Sequence, residues 1–167
     1  MTSRQPPGDL MFGSRLWTVC VRASLARRLQ ALYDSYPDNE LYAPIVGRYS
    51  DDGTVAICSA MLAFHPGQRF EVELNERDAA GVARSLADLW EDTGGEIYYL
   101  GDWHTHPGAV ASPSPTDRST ARRRAGDHAA KCPQMVVLIA GSDGLRCSIA
   151  TATGEFRELH RLRSEAA

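Results

Sequence analysis

Strand-length apolar runs alternate along this chain with helix-spaced segments, yet two tight turn signals join such runs with no helix between them. Asp51-Asp52-Gly53 leads into the run 54–64, and a Ser-Asp-Gly turn separates 135–140 from 145–151. A chain that returns at once pairs antiparallel, whereas a strand–helix–strand crossover pairs parallel. The combination predicts an α/β (α+β) fold, a mixed β-sheet flanked by helices, and excludes a doubly wound parallel sheet.

Leu25, Leu29, Leu32 and Tyr36 recur at helical spacing after Ser24, a candidate cap, and Pro37 ends that segment. A second helix is predicted after Asn75, with Val82, Leu86, Leu89 and Trp90 on its buried face and Gly94-Gly95 at its end. A third is expected over 116–130. Further strands are expected at 16–21, 70–74 and 96–103, and the Arg/Glu-rich tail reads as a last strand or a short helix. Residues 1–14 are polar and carry a Pro-Pro pair, which reads as a flexible arm before one domain over 15–167. Eighteen basic against 21 acidic residues give a net charge of −3, too close to neutral for nucleic acid as a main partner. No apolar run approaches the roughly 20 residues of a membrane helix, and 1–8 lack an apolar secretion signal, so the cytoplasm is the expected compartment. Cys20, Cys58, Cys132 and Cys147 form no CxxC pair and read as small buried thiols. Trp17 and Trp90 read as core, whereas Trp103 is either core or a wall of a substrate channel.

Chemistry concentrates in His104-Thr105-His106-Pro107, followed, counting from Pro107, by seven residues and then Ser114-Pro115-Thr116-Asp117. Residues i and i+2 of a strand project to the same side, so His104 and His106 present two imidazoles together. Asp117 falls in the first turn of the third helix. Two imidazoles and one carboxylate leave a fourth tetrahedral position open, as in catalytic rather than structural zinc sites. Ser114-x-x-Asp117 also fits a helix capping box with Asp in place of Glu, and capping would orient the same groups. On composition alone Glu40 is a solvated carboxylate at a strand start. Asp102 could be a partner of a ligand imidazole. Arg118, Arg122, Arg123 and Arg124 read first as a solvated helix face. His65, His128 and His160 show no ligand spacing.

The residues His104, His106, Ser114 and Asp117 resemble the E…HxH-x7-SxxD signature of the JAMM (JAB/MPN-plus) zinc peptidases, with no gap to adjust. The resemblance covers about 16–160 and implies the MPN/JAB-domain, cytidine-deaminase-like fold over 15–167. It implies Zn²⁺, one ion per chain, held by His104, His106 and Asp117, with Glu40 and Ser114 as catalytic residues. Leu41-Tyr42-Ala43-Pro44 stands where the family usually carries a Gly-containing turn after its glutamate. The stretch 101–107 is most similar to compact bacterial members associated with ubiquitin-like conjugation and antiviral defence. The implied substrate is a ubiquitin-like protein or its conjugate, with E1-like or E2-like proteins of the same pathway as further partners.

On that basis zinc would lower the pKa of its water toward roughly 7, Glu40 would shuttle the proton, and the Ser114 hydroxyl would donate to the oxyanion. Two alternatives within the fold are a scaffold without catalysis and a peptidase that processes sulfur-carrier proteins. A zinc deaminase is disfavoured because its H-x-E…P-C-x-x-C pattern is absent. A thiol protease would rest on Cys132 and His128 alone.

Overall fold

The fold was analysed in a computed structural model, which describes residues 8–67, 74–128 and 134–163. Along the chain run β1 (Leu10–Gly13), β2 (Thr18–Val21), α1 (Ala23–Ser35), β3 (Leu41–Tyr49), β4 (Val55–Met61) and β5 (His65–Pro66). They are followed by α2 (Glu76–Asp92), β6 (Tyr98–Thr105), α3 (Pro115–Asp127), β7 (Gln134–Gly141), β8 (Gly144–Thr151) and β9 (Phe156–Arg161). The mixed sheet is as expected. β3–β4 and β7–β8 are antiparallel across the two predicted turns. The parallel pairs are β2–β4, with α1 in the crossover, and β6–β7, with α3 in the crossover. The order β4-β2-β1-β9-β8-β7-β6-β3 closes into a ring through the β3–β4 ladder, and β5 adds a short outer pairing on β3.

Alternation along β7 divides the interior in two. Val136, Leu138 and Ala140 join Leu25, Leu29 and Leu32 of α1 in the larger core, together with Trp103 and Ile149. Met135, Val137 and Ile139 instead meet Ala121 and Ala125 of α3. The candidate site residues sit on this second side. Small alanines on α3 let the helix lie close to the sheet, so its first turn comes down beside the end of β6.

A bulge sets which side chains of β6 face α3. Ile45 pairs with Gly101 but Val46 with Tyr99, which leaves Leu100 without a place in the ladder. Only glycine fits after it, because a Cβ on Gly101 would stand 1.8 Å from the carbonyl oxygen of Val136. Beyond the bulge Trp103 turns into the α1 core while Asp102 and His104 face α3.

Three expectations change here, and one open alternative is decided. Residues 10–13, assigned to the loose arm, form β1 and pair with both β2 and β9. Helix α1 is not capped by Ser24: it begins at Ala23, two residues earlier than such a cap would place it, and Asp9 Oδ1 accepts from the Ala23 amide at 2.8 Å. Trp90 is 50% exposed rather than core, since α2 packs only its flank on the sheet and buries no residue fully. Trp103 is fully buried and walls no channel. Asn75 caps α2 as expected, accepting from the Asp78 amide at 2.8 Å. The strand expected at 70–74 lies outside the described residues except for Leu74, and so does Cys132. Cys20, Cys58 and Cys147 are buried. Among the described residues, no helix is long and apolar enough to cross a membrane.

Candidate metal centre

His104 is the penultimate residue of β6, and His106 follows directly after the strand ends at Thr105. The His106 amide still donates to Ala140 of β7 at 2.8 Å, so strand geometry persists long enough to put both imidazoles on one side. The chain then turns through Pro107 and Gly108, where φ is +67° and glycine carries no steric cost. It re-enters regular structure at Ser114, the N-cap of α3. Ser114 Oγ accepts from the Asp117 amide at 3.1 Å, and Asp117 Oδ2 accepts from the Ser114 amide at 2.7 Å. Pro115 at the first helical position completes this start. The capping box therefore fixes the Asp117 carboxylate, as both readings of Ser-x-x-Asp require.

Three candidate ligand side chains converge. His104 Nε2 lies 3.1 Å from Asp117 Oδ1, His106 Nε2 lies 3.2 Å from Asp117 Oδ2, and the two Nε2 atoms are 3.2 Å apart. Zinc bonds of about 2.0–2.2 Å arranged tetrahedrally place ligand atoms roughly 3.3 Å apart, so this donor set fits the ion. Among the described residues, this is the one group of three His, Cys, Asp or Glu side chains with ligand atoms so close together. The three side chains are 12–17% exposed, enough for solvent to reach one side. His106 Nδ1 meets the Val110 carbonyl at 3.0 Å, and because a carbonyl only accepts, Nδ1 carries the proton. That leaves Nε2 for the ion.

When both imidazoles are protonated, burial pushes the Asp117 carboxyl up, but hydrogen bonds from His104 and His106 outweigh it and hold the group well below the usual carboxylate range. The Asp117 hydrogen bond raises the His106 pKa against burial, and the Val110 carbonyl and the charges of Asp117 and Glu40 add to it. Glu40 is half-buried immediately before β3. It lines the same cavity of about 910 Å³ as His104, His106, Ser114 and Asp117. All five residues singled out from the sequence are brought to one cleft. The stretch Leu41-Tyr42-Ala43-Pro44 simply continues as β3, with Tyr42 opposite His104.

Asp102 touches no ligand imidazole. It is 5% exposed, accepts from the Tyr42 hydroxyl at 2.7 Å, and forms an ion pair with Arg124. Burial and the Asp102 charge push the Tyr42 hydroxyl far up, so it stays a donor. Arg124 is therefore not part of a solvated face, and Arg118 also departs from it, lying 4.8 Å over the Phe156 ring and 3.3 Å from Glu158. Arg122 and Arg123 are exposed as expected. The inward Arg124 was missed because nothing local marks it; its seven-residue spacing from Asp117, two helical turns on the same face, was the available signal.

Residues 22–157 match the family described as prokaryotic homologs of the JAB domain. The chain is 27% identical over 143 residues to a protein of Enterobacter hormaechei subsp. hoffmannii named CD-NTase/cGAS isopeptidase, covering 84% of this chain and 78% of that one. It is 33% identical over 82 residues to a Pseudomonas aeruginosa protein of the same name, covering 49% of this chain and 51% of that one. Among solved structures, the protein DSY2949 from Desulfitobacterium hafniense is similar with a TM-score of 0.52 at 17% identity, covering 80% of this chain and 84% of that one. That likeness concerns the fold alone. With a family match spanning most of the described sheet and both elements that carry the candidate ligands, the chain belongs to the prokaryotic JAB-domain homologues and has the JAB/MPN fold.

Proposed function

We propose that this chain is a JAMM-type zinc metalloprotease of the bacterial cytoplasm that cleaves an amide or isopeptide bond after the C-terminal tail of a ubiquitin-like protein. The pathway is bacterial ubiquitin-like conjugation in antiviral defence, and the name of the two curated relatives points to a nucleotidyltransferase conjugate as the natural substrate. The observation that carries the reading is the convergence of His104 Nε2, His106 Nε2 and the Asp117 carboxylate at 3.1–3.2 Å in the cavity shared with Glu40 and Ser114.

His104, His106 and Asp117 would hold zinc, which would supply Lewis acidity toward the scissile carbonyl and bring the pKa of water in the cleft toward roughly 7. Glu40, which lines the same cleft as the start of α3, accepts the proton of the attacking water. It then returns that proton to the leaving amine, so one carboxylate serves as base and then acid. Ser114 Oγ spends a lone pair on the Asp117 amide, which leaves its own proton free to donate to the developing oxyanion. His104, His106 and Asp117 fix position and charge, and their mutual contacts keep the site assembled.

Glu40→Gln tests the assignment. Zinc content should match wild type while turnover of a ubiquitin-like fusion falls by about 10²–10⁴-fold, the range lost with a general base. Wild-type turnover in Glu40→Gln, or activity that survives full chelation, would refute the reading.

A further inference from the structure

Val110 and Ala111 share one peptide unit, and side chains engage both of its polar ends. The Val110 carbonyl accepts from His106 Nδ1 at 3.0 Å, and the Ala111 amide donates to Asp143 Oδ1 at 2.6 Å. Asp143 lies in the β7–β8 turn, 32 positions from Ala111 in the chain. Its other oxygen takes Arg146 Nε at 3.0 Å and Nη2 at 2.6 Å, which orients the carboxylate. The Ala111 amide and Arg146 together hold the Asp143 carboxyl below its ordinary value, so it is charged throughout the neutral range.

The turn also serves as a template for the ligand loop. The Ser142 amide donates to the Ala109 carbonyl at 2.8 Å, and Ala111 is fully buried. A Cβ on Gly141 would stand 2.4 Å from the Ala111 nitrogen, so the loop backbone lies directly on the turn. A carboxylate on an amide N–H pushes electron density through the conjugated C–N bond toward the oxygen and makes the carbonyl at the other end a stronger acceptor. Histidine ligands usually take that support from a carboxylate or carbonyl directly.

We propose that Asp143 is a positioning residue for His106, acting through the Val110–Ala111 peptide to hold the imidazole with Nδ1 protonated and Nε2 turned to the metal site. The arrangement is a carboxylate–histidine pair with one peptide unit inserted. It deepens the metal-binding reading above and rests on it.

The test is Zn²⁺ affinity, measured by competition with a chromophoric chelator, in wild type, Asp143→Asn, Asp143→Ala and Glu158→Ala. Loss of an outer partner of a histidine ligand typically costs about 10–100-fold in affinity, so Asp143→Ala should lose roughly tenfold or more. Asp143→Asn keeps an acceptor for the Ala111 amide without the charge, and should fall between Asp143→Ala and wild type. Glu158, 3.9 Å from Arg146, belongs to the same ion-pair network but touches no part of the loop, so Glu158→Ala should bind as wild type. The d–d spectrum of Co²⁺-loaded Asp143→Asn should also shift. If Asp143→Ala does not fold, Asp143→Asn decides. Wild-type affinity in both Asp143 variants, or an equal loss in Glu158→Ala, would overturn this inference alone. A wild-type chain that takes up no Zn²⁺ would overturn the metal reading and this inference with it.

Discussion

Gly101→Ala probes whether the bulge in β6 governs the site. The added Cβ would meet the Val136 carbonyl oxygen at 1.8 Å, with the Val136 carbonyl carbon at 2.6 Å and its nitrogen at 2.7 Å. All three obstacles are backbone, so no side chain can swing aside. To bring the first contact to 3.0 Å the strands β6 and β7 must part by about 1.2 Å, where their ladder begins. Overpacking typically costs about 1–3 kcal/mol, and each ladder hydrogen bond lost adds about 1 kcal/mol. An expected destabilisation of about 3–4 kcal/mol is a large share of a typical 5–15 kcal/mol stability. His104 lies three residues further along the displaced strand, and a misplacement of about 1 Å at a reacting centre costs on the order of 100-fold in rate. Urea unfolding followed by tryptophan fluorescence, with Trp103 fully buried nearby, reads the first effect, and Zn²⁺ affinity and turnover read the second. Gly108→Ala is the control: φ there is also positive, but no heavy atom lies within 4 Å, so only the left-handed backbone cost of about 1–2 kcal/mol applies. If Gly101→Ala unfolded within about 0.5 kcal/mol of wild type, a margin usual for harmless substitutions, the bulge would not be what holds the strands in place.

Arg124→Gln should destabilise by about 2–3 kcal/mol, somewhat less than the 3–5 kcal/mol typical of breaking a buried pair, because the Arg124 side chain is 32% exposed and water can reach Asp102 in its place. Adding Asp102→Asn should recover part of that loss in chemical denaturation, and a strictly additive double variant would contradict the pairing. In the β3–β4 turn, the Ser50 and Thr54 hydroxyls and the Thr54 amide hold the Asp52 carboxyl at about 2. Its stabilisation is therefore complete above the ordinary Asp value and fades as pH falls toward about 2. Asp52→Asn should be less stable than wild type at pH 6, with the gap closing toward pH 2; a gap independent of pH would show that the charge is irrelevant. Full chelation of zinc should lower the midpoint of thermal unfolding and abolish cleavage, and a midpoint unmoved by zinc at saturating concentration would count against a resident ion.

What the chain discloses locally was legible. The i, i+2 histidines, the Ser-x-x-Asp cap and the two turn signals each depend on neighbours within a few residues, and each appears where spacing placed it. The five candidate site residues converge because β6, the start of β3 and the first turn of α3 meet at one end of the sheet. What stayed hidden depends on distant partners. Strand β1 exists because β2 and β9 offer ladders, not because LMFG announces a strand. Asp9 caps α1 from 14 positions away. Trp90 has the spacing of a core residue, but spacing cannot say whether enough sheet lies beneath the helix. Asp102 pairs with a guanidinium 22 positions later, and Asp143 reaches the ligand loop across 32. In each case the tertiary fold supplies the partner that the local sequence lacks.

The closed ring of strands has a consequence for how the chain can be cut. The seam between β1 and β9, extended by the Leu162 amide donating to the Met11 carbonyl at 2.8 Å, brings the first and last described segments side by side. A short linker could join them there, and new ends opened at the exposed Asp51–Gly53 turn would leave every ladder intact. In a circular permutant of that design the new ends lie at the opposite end of β3 from Glu40, which makes them a route to tethering a fusion partner away from the candidate cleft.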